Sequence, residues 1–471
     1  MKTVLCIDQS TQGTKALFLD EEGRVIARAA RPHRQIVDGR GYISHDLNEI
    51  WQNVLLVARE CVGENAASVK AVGISNQRET SCMWNDEGPL ADAVVWQCAR
   101  AKEISDALAP YAEVIRQKTG LPLSPYFPAA KYAWLLQNTE KSGKVRLGTV
   151  DSFLVWKLTG NYYTDYSNAS RTQLFDLHTL QWDEELCRLF GVPVEALPEV
   201  KDSDGVFGYT DLGGLFPEKV PVCGVLGDSH AALFAEGCLA AGQLKVTYGT
   251  GSSVMMNVGE KFVESRCGLA SSLAWKRKGK VSYVLEGNIN YSCAVITWLK
   301  DDLGLLNDAK EAGVLAAEAN ERDETVLIPA FSGLSAPYWK PDARAAILNM
   351  SRTTGKKELC RAAEESIAFQ IADILDALRA DTGLEAREVR ADGGAAGDAF
   401  LMQLQADVSG ASVLASCERE LSPLGAGVLA GIAAGVYQED VLQGEVRRFT
   451  PRENARVIAS RARWKNCLKQ L

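Results

Sequence analysis

Apolar runs that alternate with turns of small and polar residues open the chain. Residues 4–7, 15–19 and 24–28 are three such runs, each bounded by turn residues, and we interpret them as strands. Apolar positions then recur at helical spacing over residues 47–61, and residues 69–74 form another strand pattern. Helix and strand patterns continue to alternate from there on. This order predicts a β-meander followed by layered α/β structure.

The same arrangement returns near the middle of the chain. A strand pattern at residues 243–248 leads into a small-residue turn at 249–253 and a second strand pattern at 254–258, about 240 residues after the first hairpin. The repeat predicts two related halves with a boundary near Gly237, so we divide the chain into domains 1–236 and 237–471. Because no low-complexity segment separates them, we expect the two domains to pack closely.

Composition and charge exclude several classes of protein. The chain has 471 residues, of which 46% are hydrophobic and 24% charged, which excludes a disordered or collagenous chain. A net charge of −9 without a basic patch indicates that nucleic acid is not a partner. The 12 cysteines lack metal-site spacing and indicate a reducing compartment. We expect a cytoplasmic protein without a membrane partner, because no apolar run has the length of a membrane span or a signal peptide.

Three turns of small residues follow strand patterns and suit the binding of phosphate. They lie at residues 10–14, 249–253 and 392–398, and the third opens a helical pattern at 399–408. Backbone N–H groups in such turns can approach an anion closely because no large side chain intervenes. Each turn by itself is more typical of an ordinary hairpin. The three together favour a nucleotide site.

Asp228 ends one strand pattern and begins an apolar helical pattern. A carboxylate in this place can cap the helix, or it can act as a general base at the carboxyl end of a strand, where ligand sites of α/β sheets gather. As a base it would take the proton from a hydroxyl that attacks a phosphoryl group.

Other polar and aromatic residues are candidates for holding a substrate. Arg78 and Glu79 offer hydrogen-bond donors and acceptors to a polyhydroxy compound, or they form a solvated surface pair. Trp96 and Tyr126 could line the same pocket, or they could belong to the hydrophobic core.

Longer motifs resemble the FGGY family of carbohydrate kinases over nearly the whole chain. Residues 126–138 agree with the family's first signature at every constrained position, and residues 329–339 resemble its second conserved block. Within the family, the glycerol kinases are the most similar branch. The resemblance implies an α/β fold of two ribonuclease-H-like (actin/Hsp70-type) domains with a catalytic cleft between them. It also implies ATP and Mg²⁺ as cofactors and a small polyol or sugar as substrate, and it leaves a homodimer open.

The resemblance further implies a role for individual positions. It assigns substrate binding to the first domain and nucleotide binding to the second. By position, Asp228 matches the catalytic base, and Arg78, Glu79, Trp96 and Tyr126 match the groups that hold substrate hydroxyls. Thr11, Gln12, Gly13 and Lys15 match the first phosphate loop, Thr250 and Gly251 the second, Gly394, Ala395 and Asp398 the adenosine-binding turn, Cys293 and Thr297 the helix near the purine, and Asp8 the acid near Mg²⁺.

Several positions depart from the glycerol kinase pattern. Ser229 replaces a Gln and Ser253 a Phe on the substrate side, while Cys293 and Thr297 replace Gly and Gln near the purine. Hydroxyls in place of large side chains predict a roomier and more polar pocket, and therefore a polyol or ketose of four to five carbons, phosphorylated at a primary hydroxyl. The alternative is a glycerol kinase with a variant pocket. A more remote alternative is an actin/Hsp70-type ATPase without a sugar substrate.

Overall fold

The structure is a computed structural model that describes residues 2–439, 441 and 444–470. Its first half contains strands β1 (Thr3–Gln9), β2 (Gly13–Leu19), β3 (Val25–Pro32), β4 (Ile36–Val37), β5 (Ile43–His45), β6 (Val69–Asn76), β7 (Ser81–Trp84), β8 (Ala93–Val94), β9 (Arg146–Thr149), β10 (Tyr163–Asp165), β11 (Phe175–Asp176), β12 (Gln181–Trp182), β13 (Glu199–Lys201), β14 (Gly208–Thr210) and β15 (Val220–Gly227). The helices of this half are α1 (Leu47–Val62), α2 (Lys102–Ala107), α3 (Ala112–Thr119), α4 (Pro128–Asn138), α5 (Val150–Thr159), α6 (Tyr166–Ala169), α7 (Glu184–Phe190) and α8 (Asp228–Ala235).

The second half continues with strands and one long helix. Its strands are β16 (Leu244–Tyr248), β17 (Ser252–Gly259), β18 (Ala270–Arg277), β19 (Lys280–Ile289), β20 (Val326–Ile328), β21 (Ala346–Leu348), β22 (Glu388–Asp392), β23 (Ser412–Ser416) and β24 (Val446–Phe449). Its helices are α9 (Ala294–Asp301), α10 (Glu311–Ala317), α11 (Lys356–Thr382), α12 (Ala399–Ser409), α13 (Leu421–Ala433) and α14 (Ala455–Leu468).

The first large sheet has the strand order β14-β15-β6-β1-β2-β3. Strands β1, β2 and β3 are joined as consecutive antiparallel hairpins, so the predicted β-meander is confirmed. On the other side of β1, strands β6 and β15 run parallel to it. Every residue of β1 is buried, which is typical of a strand with both faces covered. The predicted helix that follows the meander is α1, and the carboxylate of Asp46 caps its first turn.

The second large sheet has the order β18-β19-β17-β16-β22-β23-β24. Strands β16 and β17 form the second predicted hairpin. Strands β22 and β23 run parallel to β16, just as β6 and β15 run parallel to β1. In both sheets, therefore, the first strand of the hairpin has two parallel strands on its far side. This is the internal repeat that the sequence indicates.

Smaller sheets complete the layers. The sheet β4-β5-β8-β7-β9 and the two-stranded sheets β10-β13 and β11-β12 lie in the first half, and the two-stranded sheet β20-β21 lies in the second. Trp96 follows β8 by two residues, which makes this smaller sheet the support of a predicted substrate residue. Within the described part of the chain, none of the helices is both long enough and apolar enough to cross a membrane.

One helix of the second half packs on the first sheet. Helix α13 contacts β1, β6 and β15 and crosses helix α8. Its buried Ala426 and Leu429 belong to the same apolar cluster as Cys6 of β1. Close packing is achieved through glycine: a Cβ at Gly425 would overlap the carbonyl oxygen of Ala231 in α8. The sequence did not predict this crossing, because a run of small and apolar residues does not reveal which sheet it covers.

This crossing yields a test of the packing between α13 and α8. We expect Gly425→Ala to lower the free energy of unfolding by about 2 kcal/mol or more, because the added methyl group meets backbone that must move. Denaturant titration measures the change. The matched control is Gly39→Ala, at a glycine with open space around it, where we expect little change. Equal stability of the two variants would contradict this close packing.

Candidate active site

The carboxyl ends of three neighbouring strands bring polar side chains together. Strands β1, β6 and β15 are parallel neighbours, and Asp8 of β1 is paired with Ser75 of β6. The hydroxyl of Ser75 donates a hydrogen bond of 2.6 Å to Oδ1 of Asp8. Arg78 lies just beyond β6, and Asp228 directly follows β15. The strand register therefore places Asp8, Arg78 and Asp228 at one edge of the sheet, where ligands of α/β folds bind.

Asp228 is the first residue of α8, and its side chain does not cap that helix. Gly227 occupies the cap position, so the structure does not support the alternative of a helix cap. Oδ1 of Asp228 lies 3.4 Å from Nε of Arg78, and 35% of the Asp228 side chain is exposed. Burial raises the pKa of Asp228 above its ordinary value, and the Arg78 guanidinium opposes this shift. A Cβ at Gly227 would lie 2.7 Å from Cγ of Arg78, so this glycine permits the close approach.

A buried network of ion pairs holds Arg78 in place. Its two terminal nitrogens donate to the carboxylate of Glu286 in β19, at 3.1 and 2.8 Å. Nη1 of Arg171 lies 3.0 Å from the same carboxylate, and Nε of Arg171 donates to Glu79 at 2.6 Å. All four side chains have 6% exposure or less, so the alternative of a solvated Arg78–Glu79 surface pair is wrong. Paired charges that are this well shielded fix one another's geometry.

Glu286 and Arg171 were not predicted from the sequence. Burial opposes the ionisation of Glu286, but the guanidiniums of Arg78 and Arg171 outweigh it and hold the pKa of Glu286 well below its ordinary value. The available signal was a lone acidic residue in an otherwise apolar strand pattern, since β19 is buried on both sides of Glu286. A buried charge such as that of Glu286 needs a partner of opposite charge, and no pattern in the sequence indicates which residue that partner is.

The aromatic candidates lie beside this network. The rings of Trp96 and Tyr126 meet edge to face with 5.5 Å between their centroids. The indole Nε1 of Trp96 donates to Oγ1 of Thr11 at 2.9 Å, which joins a predicted substrate residue to the first predicted phosphate loop. Buried Lys131 donates to the backbone carbonyls of Tyr126 and Glu79. Glu79 has φ of 62°, a left-handed conformation that costs a residue with a side chain about 1–3 kcal/mol, so Lys131 helps to hold a strained segment.

Both serines of the predicted substrate pocket lie at the network. The hydroxyl of Ser253 donates to Oε1 of Glu286 at 3.1 Å. Ser229 is half-buried, and its backbone N–H donates to Oδ1 of Asp228 at 2.6 Å. The hydroxyl of Ser253 therefore already donates to a group of the protein. This weakens the expectation that it binds a further substrate hydroxyl.

The first predicted phosphate loop is a tight turn between β1 and β2. The backbone N–H and the hydroxyl of Ser10 both donate to the carbonyl of Gly13, at 2.9 Å each. Gln12 is exposed at the tip of the turn. Lys15 forms an ion pair of 2.8 Å with Glu420, which immediately precedes α13. The crossing helix therefore touches the loop that we expect to meet phosphate.

The second predicted loop borders a cavity of about 880 Å³. The carbonyl of Gly249 accepts from the N–H of Cys293, and that of Thr250 from the N–H of Ser292, which ties the loop to the start of α9. The predicted nucleotide residues that line the cavity are Thr250, Cys293, Thr297, Gly394, Ala395 and Asp398. Gly251 lies in the same turn but not on the cavity wall. A cavity of this size with mainly apolar walls is typical of a small-molecule site.

The third predicted turn opens helix α12. Residues Gly394–Gly397 form one short 3₁₀ turn, and the carboxylate of Asp398 caps α12 by accepting from the N–H of Leu401 at 3.0 Å. The N-terminus of α12 therefore borders the cavity, as expected for a turn that meets a ligand.

Asp8 is the predicted acid near Mg²⁺. It is 3% exposed, and burial raises its pKa to about 7, although the hydrogen bond from Ser75 opposes the shift. Within the described ranges, no group of three or more His, Cys, Asp or Glu side chains could hold a metal ion. A single carboxylate fits Mg²⁺, which proteins commonly bind through one or two carboxylates together with substrate phosphates and water.

Comparisons with known proteins agree with this architecture. Residues 3–235 match the N-terminal domain of the FGGY family of carbohydrate kinases, and residues 244–434 match its C-terminal domain. A glycerol kinase of Thermotoga maritima is 45% identical over 451 residues, which cover 93% of this chain and 92% of that protein. A glycerol kinase of Burkholderia pseudomallei is 42% identical, with 97% and 95% of the two chains covered.

Solved structures show the same fold. The crystal structure of Plasmodium falciparum glycerol kinase with ADP superimposes with a TM-score of 0.94 at 33% identity, covering 100% of this chain and 98% of that one. A xylulose kinase of Lactobacillus acidophilus has a TM-score of 0.89 at 21% identity, covering 99% and 96%, and shows the fold alone. The expected two-domain α/β fold is confirmed. The chain belongs to the FGGY family of carbohydrate kinases, and it is an ATP-dependent kinase of a sugar or polyol. The alternative of an ATPase without such a substrate is therefore not supported.

Glu286→Gln tests the buried network. The variant keeps the shape of the side chain and removes the charge that two buried guanidiniums share. We expect the free energy of unfolding to fall by about 3–5 kcal/mol near neutral pH, measured by denaturant titration. Glu385→Gln, at an exposed ion pair with Arg379, is the control and should change stability by less than about 1 kcal/mol. Similar losses in both variants would contradict a structural role for the network.

The same variant has a defined pH dependence. Because the pKa of Glu286 is lower in the folded chain than its ordinary value of 4.5, its contribution to stability is complete above that value and is lost as the pH falls below it. Between about pH 5 and pH 3, the unvaried protein should therefore lose stability more steeply than Glu286→Gln. Parallel pH profiles would contradict the low pKa.

Proposed function

We propose that this kinase transfers the γ-phosphoryl group of ATP to a primary hydroxyl of glycerol. The observation that carries the proposal is the placement of Asp228 beside Arg78, at the edge of the first sheet and against the buried pair with Glu286. The acceptor is inferred from the relatives, since proteins named glycerol kinase share 40–45% identity with this chain over almost its whole length.

A substrate of four to five carbons is a second candidate with weaker support. It rests on the small side chains of Ser229 and Ser253 in place of the larger ones of the glycerol kinase pattern. The hydrogen bond from Ser253 to Glu286 speaks against it, because that hydroxyl already donates its proton within the protein. The relatives favour the alternative of a glycerol kinase with a variant pocket.

In the proposed mechanism, Asp228 orients the acceptor hydroxyl and takes its proton during attack on phosphorus. The two terminal nitrogens of Arg78 donate to Glu286, and its Nε is the atom that lies near Asp228, at 3.4 Å. The carboxylate is thus positioned without being neutralised by a bidentate pair, and it stays available as a base. Several neighbouring groups would hold the acceptor and would exclude water from it. They are the remaining N–H groups of Arg78 and the side chains of Glu79, Trp96, Tyr126, Ser229 and Ser253.

The nucleotide would lie along the second hairpin. We assign the phosphates to the turns at Thr11–Lys15 and Thr250–Gly251, and the adenosine to the cavity beside Gly394, Ala395 and Asp398, with Cys293 and Thr297 near the purine. Because one hairpin contributes Thr250 to the cavity and Ser253 to the network around Glu286, it would place the terminal phosphate near the acceptor. Mg²⁺, which neutralises charge on the phosphates, would be held by Asp8.

We assign the acceptor to domain 1–236 and the nucleotide to domain 237–471. Helix α13 is the exception to this division, since it belongs to the second segment of the chain and covers the first sheet. A homodimer and a cytoplasmic location stay predictions of the sequence.

Asp228→Asn tests the assignment of the base. We expect kcat to fall by several powers of ten, because the amide keeps the shape of the side chain but does not accept the proton. Binding of glycerol and of ADP, measured by calorimetry, should remain within about threefold of that of the unvaried protein. Asp211→Asn, at a half-buried carboxylate that accepts from loop N–H groups beyond β14, is the control for general effects of losing a charge. A turnover near that of the unvaried protein would show that Asp228 is not the base.

A panel of acceptors tests the substrate. ADP release should show the highest kcat/KM for glycerol among polyols and ketoses of three to six carbons, and Ser253→Ala should change this ranking little because its hydroxyl is engaged by Glu286. If a four- or five-carbon compound has the highest kcat/KM and Ser253→Ala abolishes its advantage, the second candidate is correct.

A further inference from the structure

A buried carboxyl lies on the wall of the nucleotide cavity and is used by none of the roles assigned above. Glu364 belongs to α11, lines the cavity and is only 2% exposed, so it lies on the inner wall. Its Oε2 atom is shielded from solvent and has no hydrogen-bond partner among the residues that the structure describes. A buried polar atom in this situation destabilises a fold unless something else satisfies it, so its presence needs a reason.

The surroundings of Glu364 are those of the predicted purine site. The charge of Asp398 in the third turn acts on Glu364, and Glu364 in turn raises the pKa of Cys293 before α9; both residues line the same cavity. The remaining wall is largely apolar and includes Ile296, Ile367, Phe400 and Leu401. Apolar walls suit the faces of a base, and the few polar groups among them decide how its edge is held.

The environment of Glu364 favours the protonated form of its carboxyl. Burial raises the pKa of Glu364 well above its ordinary value, and the negative charge of Asp398 acts in the same direction. A protonated carboxyl carries one donor and one acceptor side by side. The edge of adenine also presents a donor, the exocyclic amino group, next to a ring nitrogen that accepts. The two patterns are complementary and would form two hydrogen bonds.

We propose that Glu364 reads the edge of the adenine base, its carboxyl accepting a hydrogen bond from the exocyclic amino group and donating one to the adjacent ring nitrogen. This rests on the proposed placement of adenosine in the cavity. It gives the unpartnered oxygen a partner in the complex, and it makes Glu364 a specificity-determining residue for the nucleotide, with no part in the transfer step.

The test compares two nucleotides on the full chain by calorimetry, without an acceptor. ADP is compared with purine riboside 5′-diphosphate, which lacks only the exocyclic amino group. The unvaried protein should bind the analogue about tenfold more weakly than ADP. In Glu364→Met, affinity for ADP should fall to that for the analogue, so that the ratio of the two dissociation constants approaches one. Glu364→Gln, which keeps a neutral donor and acceptor, should retain most of the preference.

Stability provides the structural control. We expect Glu364→Met to fold with unchanged or higher thermal stability, because an apolar side chain replaces an unsatisfied polar one in apolar surroundings; Glu364→Leu serves if the methionine variant does not fold. Glu365→Gln, the neighbouring buried acid paired with Arg456 outside the cavity, should lower stability and leave the nucleotide preference unchanged. If any disturbance of α11 changed nucleotide binding, the substitutions at Glu364 and at Glu365 would both alter the preference for ADP over the analogue.

Two results would overturn the inference. One is a preference for ADP that Glu364→Met retains at its full size, and the other is no preference for ADP over the analogue in the unvaried protein. Because the binding measurement contains no acceptor, a failure of glycerol in the turnover panel overturns the proposed acceptor without affecting this result.

Discussion

Three charged side chains with almost no exposure to water meet between the two large sheets. Glu286 comes from the second half of the chain, and Arg78 and Arg171 come from the first. Withdrawing such groups from water costs several kcal/mol for each ion, about as much as good geometry returns. The network therefore constrains the positions of these side chains more than it adds to the free energy of unfolding. It joins the two halves and fixes Arg78, whose Nε lies 3.4 Å from Oδ1 of Asp228.

The chemistry of the site depends on how this charge is shared. Glu286 takes both terminal nitrogens of Arg78, and Glu79 takes Nε of Arg171. Asp228 is left beside an arginine whose charge is already balanced, so its pKa rises with burial instead of falling. A carboxylate that is held in place but poorly compensated is what a general base requires. Helix α13 adds another link between the halves, because Glu420, directly before it, pairs with Lys15 of the first predicted phosphate loop.

The sequence predicted the local elements and did not predict the contacts between segments that are distant along the chain. The two hairpins, helix α1 and the strand-to-helix step at Asp228 follow from apolar periodicity and turn residues, and the structure has them at nearly the expected bounds. Arg171 and Glu286 lie 115 residues apart in a chain that gives no periodic sign of their pairing. The packing of α13 on β6 and the burial of Glu364 likewise depend on contacts between distant segments. The alternative of a solvated surface pair of Arg78 and Glu79 was wrong because the residues that bury this pair are distant in the sequence.

We propose that Asp228, held beside Arg78, meets an acceptor hydroxyl in line with the terminal phosphate of a nucleotide on the second hairpin. A crystal structure of the protein with glycerol and a non-hydrolysable ATP analogue tests it most directly. We expect a glycerol hydroxyl within about 3.2 Å of an Asp228 carboxylate oxygen, with the terminal phosphate on the far side of that hydroxyl, next to Thr250. Glycerol held by another carboxylate, with Asp228 out of hydrogen-bond reach of it, would show that Asp228 is not the base.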